Sequence, residues 1–279
     1  MPTVLITGAS RGIGLATATR LADHGWDVYA GVRTTGDGER IQEGSGGRIR
    51  PVPLDITEPD LVAALDRVLP QHLDAVVNNA GVVVGGPVEA VSLDELRRQL
   101  EINVIGQIAV TQAVLPRIRA SRGRILFVSS LSGRLSTPMT GAYSGSKFAL
   151  EALADALRLE LRPWRIPVVL VEPAQTDTDM WGTADALLDS TVAALTPAQA
   201  HLYRKHIDGQ RKSIPKSQRL AAPADGVAVV IERALAARRP KARYVVGTGP
   251  KLMGAIALLL PTSLRDPLFA ATGGIPRRV

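Results

Sequence analysis

A single-domain α/β fold with a doubly wound, mostly parallel sheet is predicted by three features of the 279-residue chain. Short apolar runs alternate with longer stretches of helix-spaced apolar residues. The polar and glycine-rich motifs cluster where those short runs end. Hydrophobic residues make up 46% of the composition, enough to bury a sizeable core.

Thr3–Thr7 is an apolar run ending in glycines, the pattern of a strand buried on both faces. Ile13–His24 carries helix spacing and stops at Gly25. Strands follow at Val28–Val32, Ile49–Leu54 and Ala75–Val77, the last running into Asn78-Asn79-Ala80-Gly81. Pro59–Leu69 is helical. Two long helices are predicted over Leu93–Arg119 and Gly141–Leu161. They flank a strand at Arg124–Ser129 and lead into another at Pro167–Glu172, with a final strand at Arg243–Val246. Such alternation implies right-handed βαβ units. Ligands of these sheets bind beyond the carboxyl ends of the strands, near the point where strand order reverses.

Composition excludes several functions. There are no cysteines, hence no disulfide framework and no thiolate metal site. His201 and His206 have no carboxylate or cysteine at metal-ligand spacing and read as surface residues, so no metal is expected. The opening MPTVLITGAS has neither a basic leader nor a cleavage site, so no signal peptide and a cytoplasmic location are expected. The apolar run Leu252–Leu260 falls well short of the roughly 20 residues that a membrane span needs. Residues 1–200 carry 18 basic and 22 acidic side chains, whereas residues 201–279 carry 15 and 4. The excess positive charge therefore belongs to the tail, where a solvated basic surface is the favoured reading. No basic stretch is interleaved with aromatics, so no nucleic-acid partner is expected.

Thr7-Gly8-Ala9-Ser10-Arg11-Gly12-Ile13-Gly14 joins the first strand to the first helix. Glycines there let the backbone approach a pyrophosphate, whose charge a helix N-terminus favours. The spacing differs from G-x-G-x-x-G and lacks the lysine of an ATP-type loop. An NAD site usually has a carboxylate at the end of the second strand. Here the strand ends in Arg33, and Arg11 lies within the loop, so two guanidinium groups are available for a 2′-phosphate. NADP(H) is the expected cofactor, and solvated surface arginines are the alternative.

Tyr143 and Lys147 are four residues apart at the start of a predicted helix and share a face. A nearby ammonium stabilises phenolate, bringing a group with a pKa of about 10 towards neutrality. Tyr143 then serves as general acid in reduction or general base in oxidation. Ser130, at the end of the preceding strand, is placed to hydrogen-bond the reacting oxygen.

Taken together, the chain resembles the short-chain dehydrogenase/reductase family, strongly from Pro2 to Thr178 and weakly beyond. The matching pieces are TGASRGIG from Thr7, LDIT around Asp55, NNAG from Asn78, NVIG from Asn103, SSLSG from Ser129, AYSGSKFAL around Tyr143 and EPAQTDT from Glu172. The resemblance implies a Rossmann-type fold and a tetrad of Asn103, Ser130, Tyr143 and Lys147, with Asn103 supporting a water-linked relay to Lys147. It implies cofactor contacts at Gly8, Ser10, Arg11, Gly12, Ile13 and Gly14 in the loop, and at Arg33, Asp55 and Ile56. Further contacts are implied at Asn79, Ala80 and Gly81, at Tyr143 and Lys147, and at Pro173, Thr176 and Thr178. The family usually has glycine after Pro173; here Ala174 stands, and its β-carbon restricts positive φ and crowds the nicotinamide. VYAGVR and the Glu172-Pro173…Trp181 region are similar to the retinol and hydroxysteroid dehydrogenase branch.

The expected activity is hydride transfer between NADP(H) and an apolar ketone or secondary alcohol, steroid-like or retinoid-like. The alternatives are a 3-oxoacyl carrier-protein reductase and a non-catalytic NADP(H)-sensing protein. Residues 179–222 take the place of a substrate lid, and residues 250–279 form a C-terminal extension. Trp181, Leu187, Leu188, Tyr203 and Ile207 line an apolar pocket or form the inner face of short helices. A homo-oligomer is expected. Leu252, Ile256 and Leu259 share a helical face and are expected to pack on the lid or a neighbouring subunit, in preference to lying in a membrane interface.

Overall fold

The computed structural model describes residues 1–177, 184–219, 221–247, 249, 254, 259–272 and 275. Its strands are β1 (Thr3–Ile6), β2 (Asp27–Val32), β3 (Ile49–Pro53), β4 (Ala75–Asn78), β5 (Arg124–Val128), β6 (Val168–Glu172), β7 (Thr176–Asp177), β8 (Ala222–Pro223) and β9 (Arg243–Val245). Its helices are α1 (Gly12–Asp23), α2 (Thr35–Gly44), α3 (Pro59–Val68), α4 (Leu93–Leu100), α5 (Gly106–Ser121), α6 (Gly141–Glu160), α7 (Ala184–Ala193), α8 (Pro197–Arg219), α9 (Ala224–Ala236) and α10 (Thr262–Thr272). Seven strands form one sheet in the order β3-β2-β1-β4-β5-β6-β9, every pair parallel. The order reverses between β1 and β4.

Alternation along the strands splits the core into two layers. Val4, Ile6, Val28, Ala30 and Val77 meet α1 and α9 through Ala18, Leu21, Val227 and Ile231. Leu5, Tyr29, Val76, Ile125 and Phe127 meet α3, α5 and α6 through Leu65, Val110, Val114, Ile118 and Leu150. Both faces of β1 are covered, which is why Val4, Leu5 and Ile6 are all apolar and fully buried.

The helix expected over Leu93–Arg119 is interrupted. One π-helical turn, Glu101–Ile105, separates α4 from α5. Such a turn adds a residue to the helical register, which apolar spacing does not reveal. Here it turns Asn103 inwards, where the side chain accepts from Val82 N (2.9 Å) and donates to Val82 O (3.0 Å) and Ser146 Oγ (3.1 Å).

Between β7 and β8, α7 and α8 bury Leu188, Ile207 and Ile214 against Met139 and Tyr203. His206 departs from its expected surface position. Three residues after Tyr203 on α8, it packs edge-on against that ring at 5.1 Å, and its Nδ1 is buried. Apart from Gly254, Leu259 and Leu260, the run 250–260 lies outside the described residues, Leu252 and Ile256 included. Leu259 is 85% exposed and does not pack on the lid. Among the described residues, no helix is long and apolar enough to cross a membrane.

Gly106, the first residue of α5, seats that helix on the loop after β3: a β-carbon there would lie 2.7 Å from Ile56 O and 2.8 Å from Ile56 Cγ1. Gly106→Val is therefore expected to destabilise the fold by about 1–3 kcal/mol through overpacking. Urea unfolding measures this, and an unchanged midpoint would contradict so tight an approach.

Candidate active site

The carboxyl ends of β1 to β6 surround one cleft of about 250 Å³, above the point where strand order reverses. The loop after β1 supplies Gly8, Ser10, Arg11, Gly12 and Ile13 to its wall. Gly8 and Gly12 have φ of 63° and 55°, and a β-carbon on Gly8 would stand 2.8 Å from Ala80 Cα. Gly14, at the start of α1, packs beneath the loop. Its β-carbon would sit 2.2 Å from Gly8 O and 2.6 Å from Asn79 Nδ2, so this glycine packs α1 under the loop. No side chain caps the start of α1 and no acid occupies its first turn, leaving its N–H groups and dipole open to an anion.

A buried threonine that sequence reasoning passed over ties this loop to the next. Thr7 Oγ1 accepts from Asn79 N (2.9 Å) and Ala80 N (3.0 Å), while Asn79 Nδ2 donates to Thr7 O and Gly8 O, both at 3.0 Å. A polar residue closing an apolar strand, just before the glycine turn, was the available signal. Asn79, Ala80 and Gly81 all line the cleft.

At the end of β2, Arg33 lines the cleft and is exposed. Thr34 caps α2, accepting from Asp37 N at 3.2 Å. Arg40, also missed, is brought alongside by α2 and donates to Ser10 O (3.1 Å) and Asp37 Oδ1 (2.7 Å). The Thr34 hydroxyl, with Arg40 and Arg11 beside it, holds the Asp37 carboxyl below its usual range. After β3 come Asp55 and Ile56; Asp55 Oδ1 accepts from Thr57 N (3.0 Å) and Thr57 Oγ1 (2.7 Å), fixing its turn.

Ser130, Tyr143 and Lys147 meet at the other end of the cleft, together with Asn103. Ser130 Oγ accepts from Ser132 N at 3.1 Å and donates to Pro173 O at 3.5 Å, beside the Tyr143 hydroxyl, whose pKa it lowers. Lys147 is buried, and its Nζ donates to Val128 O at 2.8 Å, 5.9 Å from the centre of the Tyr143 ring. Burial pulls Lys147 down to about 8, against the opposing pull of Glu151. Burial also raises Tyr143, and the group that lowers it is Ser130. The Lys147 ammonium is held in place by the backbone carbonyl of Val128, on one side of the Tyr143 ring. Asn103 reaches α6 through Ser146, whose Oγ donates to Tyr143 O at 2.7 Å, and makes no hydrogen bond to Lys147.

Pro173, Ala174 and Thr176 close the cleft after β6, and Thr178 lies outside the described residues. Ala174 does not have positive φ, so its methyl imposes no backbone strain. A second cavity, of about 120 Å³, lies between α7, α8 and the loop before α6. Val83, Met139, Leu187, Leu188 and Ile214 make it mostly apolar, with Gln210 and Thr191 at its wall. Leu188 therefore serves both expected roles, as pocket lining and as inner helix face, while Ile207 serves only the second. Among the described residues no group of acidic or histidine side chains could hold a metal.

A family model described as short chain dehydrogenase matches residues 2–187. The NADPH-dependent 3-dehydrocapnine reductase of Ornithobacterium rhinotracheale is 32% identical over 275 residues, covering 95% of both chains. Retinol dehydrogenase 5 of Homo sapiens is 35% identical over 277 residues, covering 95% of this chain and 87% of that protein. Among solved structures, a short-chain dehydrogenase from Streptomyces avermitilis superposes with a TM-score of 0.75 at 26% identity, covering 96% of this chain and 94% of the other.

Lys147 also makes a stability prediction. Its folded pKa, about 8, lies below the unfolded value near 10.5, so between these pH values the unfolded chain binds more protons. Stability therefore rises with pH across that window, and the penalty of the buried ammonium is full below pH 8. Lys147→Met should raise the unfolding free energy at pH 7 by on the order of 2 kcal/mol, after losing the bond to Val128 O. That gain should shrink as pH rises and reverse by about pH 10.5, where only the lost bond to Val128 O still counts. Equal gains at both pH values in urea titrations would rule out the depressed pKa.

Proposed function

From the premise that the chain belongs to the short-chain dehydrogenase/reductase family, on its retinol dehydrogenase-like side, we propose that it interconverts an apolar ketone and its secondary alcohol with NADP(H). The observation that carries this reading is the meeting of Ser130, Tyr143 and Lys147 in the same cleft as the glycine loop.

The cleft fits a dinucleotide. Gly8 and Gly12 keep the loop free of β-carbons where a pyrophosphate would approach, and the uncapped start of α1 faces the same space. When bound, the cofactor supplies or takes up the hydride. Arg33 and Arg11 hold the 2′-phosphate, with Arg40 as a third guanidinium on the loop. A carboxylate is missing from the end of β2, and Asp37, the nearest one, is already paired with Arg40. The name of the Ornithobacterium relative, an NADPH-dependent reductase, supports the same choice. Asp55 and Ile56 flank the adenine, Asn79 to Gly81 the adenosine side, and Pro173, Thr176 and Thr178 the nicotinamide.

Ser130 holds the substrate oxygen through its hydroxyl and passes its other interaction to Tyr143. Tyr143 gives its proton to that oxygen in reduction and recovers it in oxidation. Lys147 fixes the ribose and supplies positive charge beside the phenol. Asn103 anchors the π-turn to Val82 and α6, so its support for the pair runs through Ser146 and the Tyr143 carbonyl. Residues 179–222 act as the lid, and the second cavity receives an apolar part of the substrate. Exposed Ile105, Phe148 and Leu159 are available to a second copy in the expected homo-oligomer.

Tyr143→Phe should lower turnover at least about 100-fold on a panel of apolar ketones while leaving NADPH binding nearly intact, since only the proton donor is lost. Substantial residual turnover would assign the proton to another residue. Arg33→Asp should weaken NADPH binding much more than NADH binding, because it sets a carboxylate beside the 2′-phosphate. A fluorescence titration in which the unaltered protein already prefers NADH would overturn the role of Arg33.

A further inference from the structure

Behind Lys147 lies a buried charge cluster that the proposed reaction does not use. Tyr143, Lys147 and Glu151 follow one another at every fourth position of α6, so they stand on one helical face. Glu151 is 5% exposed and Lys147 4%. Gly133 lets their turns close up. A β-carbon at that position would lie 2.9 Å from Glu151 Cγ, 3.0 Å from Ser129 Oγ and 3.1 Å from Lys147 O.

The charges around this point come from four elements. Arg243, on β9, donates from Nε to Glu151 Oε2 at 2.9 Å and approaches Glu172 Oε1, at the end of β6, to 3.2 Å. Its other nitrogen donates to Asp155 Oδ2 at 2.6 Å, and Asp155 also pairs with Arg158 on α6. Arg134, in the turn after β5, reaches Glu172 Oε2 at 3.4 Å. Glu172 is fully buried, and burial followed by Glu151 pushes its carboxyl up. Arg243 thus holds Glu151 by one oxygen, while Glu151 Oε1 is buried without a hydrogen-bond partner among the described residues. A buried carboxylate with an uncommitted oxygen, one helical turn from a buried ammonium, acts on that ammonium through space.

We propose that the Glu151 carboxylate, clamped by Arg243, is the counter-charge that keeps Lys147 an ammonium ion, which makes Glu151 a positioning residue for the Tyr143–Lys147 pair. This rests on the reading of Lys147 as the active-site cation. Burial alone works to discharge Lys147, and Glu151 is the group that opposes it. A neutral Lys147 gives Tyr143 no positive charge, so Glu151 sets the pH above which reduction fails. The clamp matters because Arg243 fixes the Glu151 carboxylate at 2.9 Å, one helical turn from Lys147.

The test reads Lys147 directly, on the full chain without cofactor. Lysine ¹³Cε NMR follows its titration, with the signal assigned by its loss in Lys147→Arg. Lys147 should titrate near 8 in the unaltered protein and about one pH unit lower or more in Glu151→Gln. Glu151→Asp, which keeps the charge, should restore most of the difference. Equal titrations in the unaltered protein and Glu151→Gln overturn the proposal, since a merely structural Glu151 would change the melting temperature alone. If Glu151→Gln does not fold, the Glu151 carboxyl signal of the unaltered protein decides. It must show an inflection at the Lys147 pKa, and its absence overturns the proposal equally. Lack of turnover on the ketone panel would defeat the functional reading while leaving these titrations standing, so the two failures are distinguishable.

Discussion

Everything in the cleft depends on how closely the loop after β1 approaches the loop after β4. Those strands are neighbours in the sheet, and the chain leaves them towards opposite sides. The gap between the loops is closed by four hydrogen bonds involving Thr7 and Asn79, and by Gly8 lying against Ala80 with no room for a β-carbon. This contact fixes the height of the glycine loop above the sheet and aims the open N-terminus of α1 across the cleft. A larger residue at Gly8 or Gly14 would part the loops and disturb both ends of the cleft.

The second organising feature is charge taken out of water. Lys147, Glu151 and Glu172 are all nearly or fully buried, and burial disfavours the charged forms of Lys147 and Glu172. Arg243 and Arg134 offset the two carboxylates, and Glu151 offsets Lys147. Such a cluster contributes little net stability, because desolvation consumes most of the attraction. It does hold β6, β9 and α6 in one relation, and α6 is the element that presents Tyr143. The arginines at the far end of the cleft differ. They are exposed and screened by solvent, suited to meeting an incoming anion rather than to holding the fold.

Beside the cleft, α7 and α8 enclose the second cavity. The cleft walls come from strand ends that the matched family model covers through residue 187, whereas α8 lies beyond that match. α8 presents Ile207 and Ile214 inwards and basic residues such as Arg204 and Arg211 outwards, an amphipathic helix 23 residues long. Its inner face lines the second cavity through Ile214 and Gln210.

The sequence by itself determined the sheet and which residues its strand ends bring to one cleft. Strands buried on both faces write themselves as continuous apolar runs, and a glycine loop between strand and helix has few alternative uses, so β1 to β6, Gly8, Ser130, Tyr143 and Lys147 were all legible. Only the tertiary structure decided what long-range contacts decide. It gave Gly14 a packing position, because the atoms a β-carbon there would meet belong to Gly8 and to Asn79, 65 residues away in the chain. It broke the long helix at Asn103, where burial against Val82 outweighs helical regularity. It turned the Lys147 ammonium towards Val128 O and set Ser130 where it lowers Tyr143. It also brought Arg40, Thr7, Glu151 and Arg243 to the site or behind it. Nothing in the local pattern marks these four, since hydrogen bonds and ion pairs between distant residues carry no period along the chain.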